Sequence, residues 1–195
     1  MISLSFFTSN GTPMTEIVTP QDLSQQASEA YQMGDFDQAA SQFCAAAEAF
    51  ERAGKALDAA EMKNNASVCY LQSGRNQESY NIVAGTYKIF AENNDTRRKA
   101  LALGNEAAAL EALGRRDEAI QLYNQSAQAF LEIGDEESHS LVFATLAKLQ
   151  MTSGKITDGI LTMGTSLAEV KSPTMRQRFM KFLYSTLARL LRVRI

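Results

Sequence analysis

LALGNEAAALEALGRRDEAIQLYNQSAQAFLEIG, residues Leu101–Gly134, decides the fold. Before Gly114, Leu103, Ala107, Leu110 and Leu113 recur at helical spacing; after it, Ile120, Tyr123, Ala127 and Phe130 do the same. Apolar residues at i, i+3, i+4 and i+7 define an amphipathic helix, so the stretch is two helices joined at Gly114. A helix C-terminus favours a left-handed residue, and glycine takes that conformation without steric cost. Asp117 and Glu118 then fall in the first turn of the second helix, where negative charge suits the helix dipole.

The same pattern recurs on both sides. Gly34, Gly74, Gly114 and Gly154 are spaced by 40 residues, and Phe50, Phe90, Phe130 and Val170 follow sixteen residues behind them. A fixed period of this size marks a stacked-repeat protein. Small residues keep step in three columns: Ala27, Ser67, Ala107 and Ala147; Ala39, Ser79, Ala119 and Gly159; Ala46, Thr86, Ser126 and Ser166. They let the two helices of a hairpin approach closely, where a large side chain would overpack.

These residues resemble the tetratricopeptide repeat. The pattern small–x6–Gly–x4–small reads A-x6-G-x4-A around Gly34 and Gly114, S-x6-G-x4-S around Gly74, and A-x6-G-x4-G around Gly154. The family's usual period is shorter than the 40 residues here. The longer period is similar to that of spindle adaptors, kinesin light chains and bacterial signalling proteins. The stretch AASQFCAAAEAFERAG also resembles the helical hairpins of the SNAP vesicle-fusion adaptors. The extra residues lengthen each helix by nearly a turn, at about 1.5 Å per residue. The resemblance covers Pro20 to Lys171 and implies an all-α, right-handed superhelical solenoid. Proline, common in the family at the end of the second helix, is replaced by Gly54, Asn94 and Gly134.

The expected organisation is a mobile leader over 1–19, four hairpins over 20–54, 55–94, 95–134 and 135–172, and a basic C-terminal helix over 173–195. Met14 is an alternative start. Thr19 reads as an N-cap with Pro20 at the first helical position, and Asp95 and Asp135 as later N-caps. The second hairpin is expected as Lys55–Ser73 and Asn76–Glu92. No strand-like alternation appears. The leader lacks the positive start and apolar length of a secretory signal. Cys44 and Cys69 read as small buried hydrophobes in a reducing compartment, which places the chain in the cytoplasm.

No phosphate loop, dinucleotide fingerprint, zinc-protease motif, nucleophile elbow or paired Cys-x-x-Cys is present. The single histidine, His139, has no catalytic company. The chain therefore reads as non-catalytic, with no cofactor or metal. Stacked hairpins instead offer a concave binding face. In the resembled family the first helix of each pair lines it, which by position gives Tyr31, Asn65, Val68, Leu71, Asn105, Ala108, Glu111, Lys148 and Met151. The resemblance implies that Asn65 and Asn105 hydrogen-bond a peptide backbone, since carboxamides both donate and accept. A carboxylate clamp would need lysines or arginines nearby, and the positions in question hold Gln21, Gln25, Glu61, Leu101, Leu141 and Thr145. The expected partner is thus an apolar peptide or helix.

The net charge of −3 hides an asymmetry: from Lys171 on there are seven bases and no acid, leaving −10 on the rest. Met175, Phe179, Phe182, Leu183 and Leu187 form one face of this last segment; Arg178, Lys181, Arg189 and Arg192 form the other. It either caps the solenoid, packing on Ile160, Met163 and Leu167, or lies on an anionic membrane. The acidic body argues against nucleic acid. The basic helix could also dock on the acidic body of a second copy, making a homo-oligomer.

Overall fold

The computed structural model describes residues 5–7, 13–15, 18–169, 175, 178, 182–184 and 186, with the backbone alone for 5–7, 13–15 and 166–169. Val170, Phe179, Lys181, Leu187, Arg189 and Arg192, and the side chains of Ser166 and Leu167, lie outside the described residues.

Helices account for nearly all of the described chain. They are α1 (Pro20–Gln32), α2 (Phe36–Arg52), α3 (Ala56–Gln72), α4 (Asn76–Val83), α5 (Thr86–Glu92), α6 (Thr96–Ala112), α7 (Arg116–Glu132), α8 (Glu136–Thr152) and α9 (Ile156–Glu169). The chain divides into two compact units, Met1–Val83 and Ala84–Ile195. In the first, α1 packs on α2, α2 on α3, and α3 on α4; in the second, α5 packs on α6, and α6 through α9 pack in sequence.

The punctuation is as the sequence predicts. Gly34, Gly74, Gly114 and Gly154 all have positive φ, and Gly54, Asn94 and Gly134 fill the same role between hairpins. Thr19 Oγ1 accepts from the Asp22 N–H at 3.1 Å and Asp22 Oδ2 accepts from the Thr19 N–H at 2.9 Å, a reciprocal capping box. Asp95 and Asp135 cap α6 and α8 through the Arg98 and Ser138 N–H groups.

The small-residue columns form the seams. Ala27, Ser67, Ala107 and Ala147 are fully buried, as are Ala39, Ser79, Ala119, Ala46 and Ser126. A Cβ added to Gly159 would stand 2.7 Å from the Ala147 carbonyl, so no larger residue fits there. Phe50, Phe90 and Phe130 fill the core column behind them. His139 is buried, with Nδ1 2.9 Å from the Ala127 carbonyl and its ring edge-on to Phe143, which makes it structural.

Three expectations are corrected. The segment Asn76–Glu92 is not one helix: it is broken at Ala84–Gly85, where Gly85 has φ +76° and its N–H donates to the buried Glu106 carboxylate at 2.9 Å. Two strands do occur, β1 (Ser5–Phe7) and β2 (Pro13–Thr15), paired antiparallel with Ser5 opposite Thr15 and Phe6 opposite Met14. Phenylalanine and threonine favour strands, and the intervening sequence holds Asn10-Gly11, a hairpin-turn dipeptide; three residues are too few for alternation to register. Cys44 is half-buried rather than buried, its Sγ 3.5 Å from the Tyr70 hydroxyl, while Cys69 is fully buried.

Candidate binding faces on the first helices

The candidate positions of each first helix lie on one face, outside its fully buried stripe. In the first unit, α3 carries Asn65, Val68 and Leu71 on this face, all half-buried, and α1 carries Tyr31, exposed with its ring edge-on to Phe36 at 5.5 Å. In the second unit, α6 carries Asn105, Ala108 and Glu111, half-buried, and α8 carries exposed Lys148 and half-buried Met151. Within each helix these positions are three or four apart and share a side.

Glu111 and Met151 are engaged by their own second helices. Glu111 accepts a hydrogen bond from the Tyr123 hydroxyl at 3.0 Å, so it braces α6 against α7. Burial, and then the neighbouring Glu111 carboxylate, hold the Tyr123 phenol above its ordinary range. Met151 closes over Gly159: a Cβ there would meet its Cγ at 2.5 Å. In α3 the buried carboxamide is Asn64, which donates to the Ala60 carbonyl at 2.8 Å, while Asn65 sits nearer the surface.

Sequence reasoning left out the most exposed apolar residues of these faces. Leu141 is 70% exposed and Leu101 is 46% exposed. They are one repeat apart at the same register, where the second hairpin has Glu61. Leu101, Asn105 and Ala108 follow one another along α6; Leu141, Ala144, Lys148 and Thr152 do so along α8, the last three also exposed. The signal was available: a leucine lying outside its helix's buried stripe, repeated after 40 residues.

Charged pairs hold successive hairpin turns. Arg75 pairs with Asp37 at 3.3 Å in the first unit, and Lys155 with Asp117 at 2.6 Å in the second, the same register two repeats on. Asp117 is held below its ordinary carboxylate range by the Lys155 hydrogen bond. Such exposed pairs fix geometry more than they add stability.

The C-terminal segment is helical at every described position. Tyr184 approaches α9, its Cβ 3.9 Å from a Cβ built on Gly164. Met175, Phe182 and Leu183 are 82%, 67% and 47% exposed, and Arg178 is exposed too. On α9 Ile160 is buried.

The family model of the soluble NSF attachment proteins, SNAP, matches residues 2–181. The chain belongs to this family. Its fold is the tetratricopeptide-like helical repeat. A putative kinesin light chain with nearly identical TPR-like repeats from Podosopora anserina matches at TM-score 0.70 and 14% identity, over 87% of this chain and 85% of that one. BtubC (BKLC) from P. vanneervenii matches at TM-score 0.67 and 18% identity, over 86% and 72%. The Rap conjugation gene regulator of plasmid pLS20, solved in complex with the Phr* peptide, matches at TM-score 0.59 and 13% identity, over 88% and 54%. No curated protein matches the chain. Among the described residues of this SNAP-family chain, no helix is long and apolar enough to cross a membrane, and no His, Cys, Asp or Glu cluster of metal-binding size is present.

Proposed function

We propose that the chain is a non-catalytic adaptor that holds a peptide or partner helix on the first-helix faces of its hairpins. The observation that carries this reading is the pair Leu101 and Leu141, exposed at the same register beside Asn105 and Lys148. Apolar anchors flanked by carboxamide and ammonium groups suit an amphipathic segment, whose side chains anchor while its backbone or acids hydrogen-bond. SNAP membership and the likeness in fold to a regulator solved with a peptide support it. The test is selection of displayed peptides on the full chain, followed by binding to Leu101→Asp and Leu141→Asp. Each substitution is expected to weaken the selected peptide at least about tenfold, the loss of one buried apolar anchor. Unchanged affinity in both would refute the reading.

The exposure of Met175, Phe182 and Leu183 favours a second role for the C-terminal segment. A helix with apolar residues on one side and seven bases without an acid suits the interface of an anionic bilayer. The full chain is expected to float with anionic liposomes, and a chain cut after Lys171 to stay soluble and helical without floating. If the full chain does not float, and the cut chain loses helix or aggregates, the segment is a cap.

A further inference from the structure

A cavity of about 440 Å³ opens among α6, α7 and α8 in the second unit. Lys99 from α6, Asn124, Gln125, Gln128 and Glu132 from α7, and the Phe143 ring from α8 line it. Asn124 spends its amide on the Ile120 carbonyl at 2.9 Å. Lys99, Gln125, Gln128 and Glu132 have no hydrogen-bond or ion-pair partner among the described residues, and Lys99 and Glu132 do not pair with each other. Lys63 offers the contrast: it too is half-buried, and it is paired with Glu51.

The repeat itself does not ask for this chemistry. Forty residues earlier, the positions of Lys99, Asn124 and Gln125 are held by Ala59, Ala84 and Gly85. Forty residues later, the position of Lys99 is the buried His139. Forty residues before Glu132 stands another acid, Glu92, but a half-buried ammonium and two exposed, unpaired carboxamides beside an aromatic wall are this repeat's own. The volume lies within the range of small-ligand sites, about 300–1,000 Å³.

We propose that this cavity binds a small zwitterion carrying a carboxylate and an ammonium, of the dipeptide kind. The Lys99 ammonium donates to the ligand carboxylate, and the Glu132 carboxylate accepts from the ligand ammonium. Gln125 and Gln128 serve the amide between them, each able to donate and accept. The Phe143 ring receives an apolar side chain. Four of its polar residues stand on the second helix α7, and Lys99 and Phe143 occupy other positions of α6 and α8 than Leu101 and Leu141, so the site stands or falls independently of that reading.

The test is a titration of the full ¹⁵N-labelled chain with glycyl-leucine and glycyl-phenylalanine, followed by amide chemical shifts. Saturable shifts are expected at Lys99, Gln125, Gln128 and Phe143. Lys99→Gln, at a half-buried position, and Glu132→Gln, at an exposed one, are each expected to raise Kd at least about tenfold, as loss of a charged hydrogen bond does. The N-acetylated, C-amidated forms of the same peptides should bind as weakly. Absence of saturable shifts at these residues overturns the proposal. So does an unchanged Kd in both variants, or equal binding of the capped peptides.

Discussion

α7 runs unbroken from Arg116 to Glu132, whereas the same register one repeat earlier is split into α4 and α5. Both stretches bury their small and aromatic columns: Ser126 and Phe130 in one, Thr86 and Phe90 in the other. The difference lies in two residues. Position 85 is glycine where α7 has Gln125 and α2 has Ala45, and position 106 is glutamate where the neighbouring hairpins have Ala66 and Leu146. Ala66 and Leu146 are fully buried, so Glu106 puts a carboxylate into a core column. A buried carboxylate is costly unless hydrogen-bonded, and the N–H that Gly85 frees by leaving the helical conformation supplies the partner. The helix break and the buried acid answer each other. The boundary between the two compact units falls at the same place. A repeat can thus change its local geometry through a matched pair of substitutions while its packing columns stay intact.

The largest expected effect tests whether those columns are equal on both sides of the comparison. Phe90→Ala and Phe130→Ala should each cost about 3–5 kcal/mol in urea unfolding, as core aromatic truncations do. A cost under about 1 kcal/mol for Phe90 alone would mean that α5, cut off by the break, is not held by its core residue.

Next is the matched pair. Glu106→Ala should destabilise by about 1–3 kcal/mol, because the Gly85 N–H loses its acceptor. Gly85→Ala should cost about 1–2 kcal/mol from its left-handed backbone alone, since no atom crowds the site. The double variant should cost less than the sum, and strict additivity would show that the break and the acid are unrelated.

Smaller still is a contrast between buried hydroxyls. Ser126 Oγ donates to the Ala100 carbonyl at 2.8 Å, while Ser79 Oγ, equally buried, has no partner. Ser126→Ala should lose about 1 kcal/mol and Ser79→Ala should gain about as much, both read from denaturant midpoints.

The pH response should be shared by both regions. Asp95 and Asp135 are held low chiefly by the backbone N–H groups they cap, and Glu118 by Arg115. The folded chain therefore binds fewer protons than the unfolded one. Its stabilisation is complete above about pH 5 and lost as pH falls through the carboxylate range below about 4. At the other end, the Cys44 contact pushes Tyr70 up to about 12 and burial pushes Cys69 up to about 11. Folded groups that keep their protons longer give stability that declines as pH rises above about 9. A urea midpoint flat from pH 3 to 11 would contradict both assignments.

Most of the architecture was legible because the repeat states its rules four times. Gly114 marks a turn, Asp95 a cap and Phe130 a core position, and each has counterparts 40 residues away. The break at Gly85 was not read, because one glycine inside a helical pattern is tolerated and its reason, Glu106, lies 21 residues on. The candidate faces were legible in part. Register placed Asn105 and Lys148 on a first-helix face, but only the fold shows Glu111 committed to Tyr123 and Leu141 left exposed. Exposure depends on which neighbouring helix covers a face, and period alone does not carry that.

The measurement that bears most directly on the adaptor reading is amide chemical-shift mapping of the full chain with a selected peptide bound. Shifts are expected to concentrate on the first-helix faces, at Leu101, Asn105, Ala108, Leu141 and Lys148. Shifts concentrated on the second helices α2 and α7, with these five residues unmoved, would contradict it.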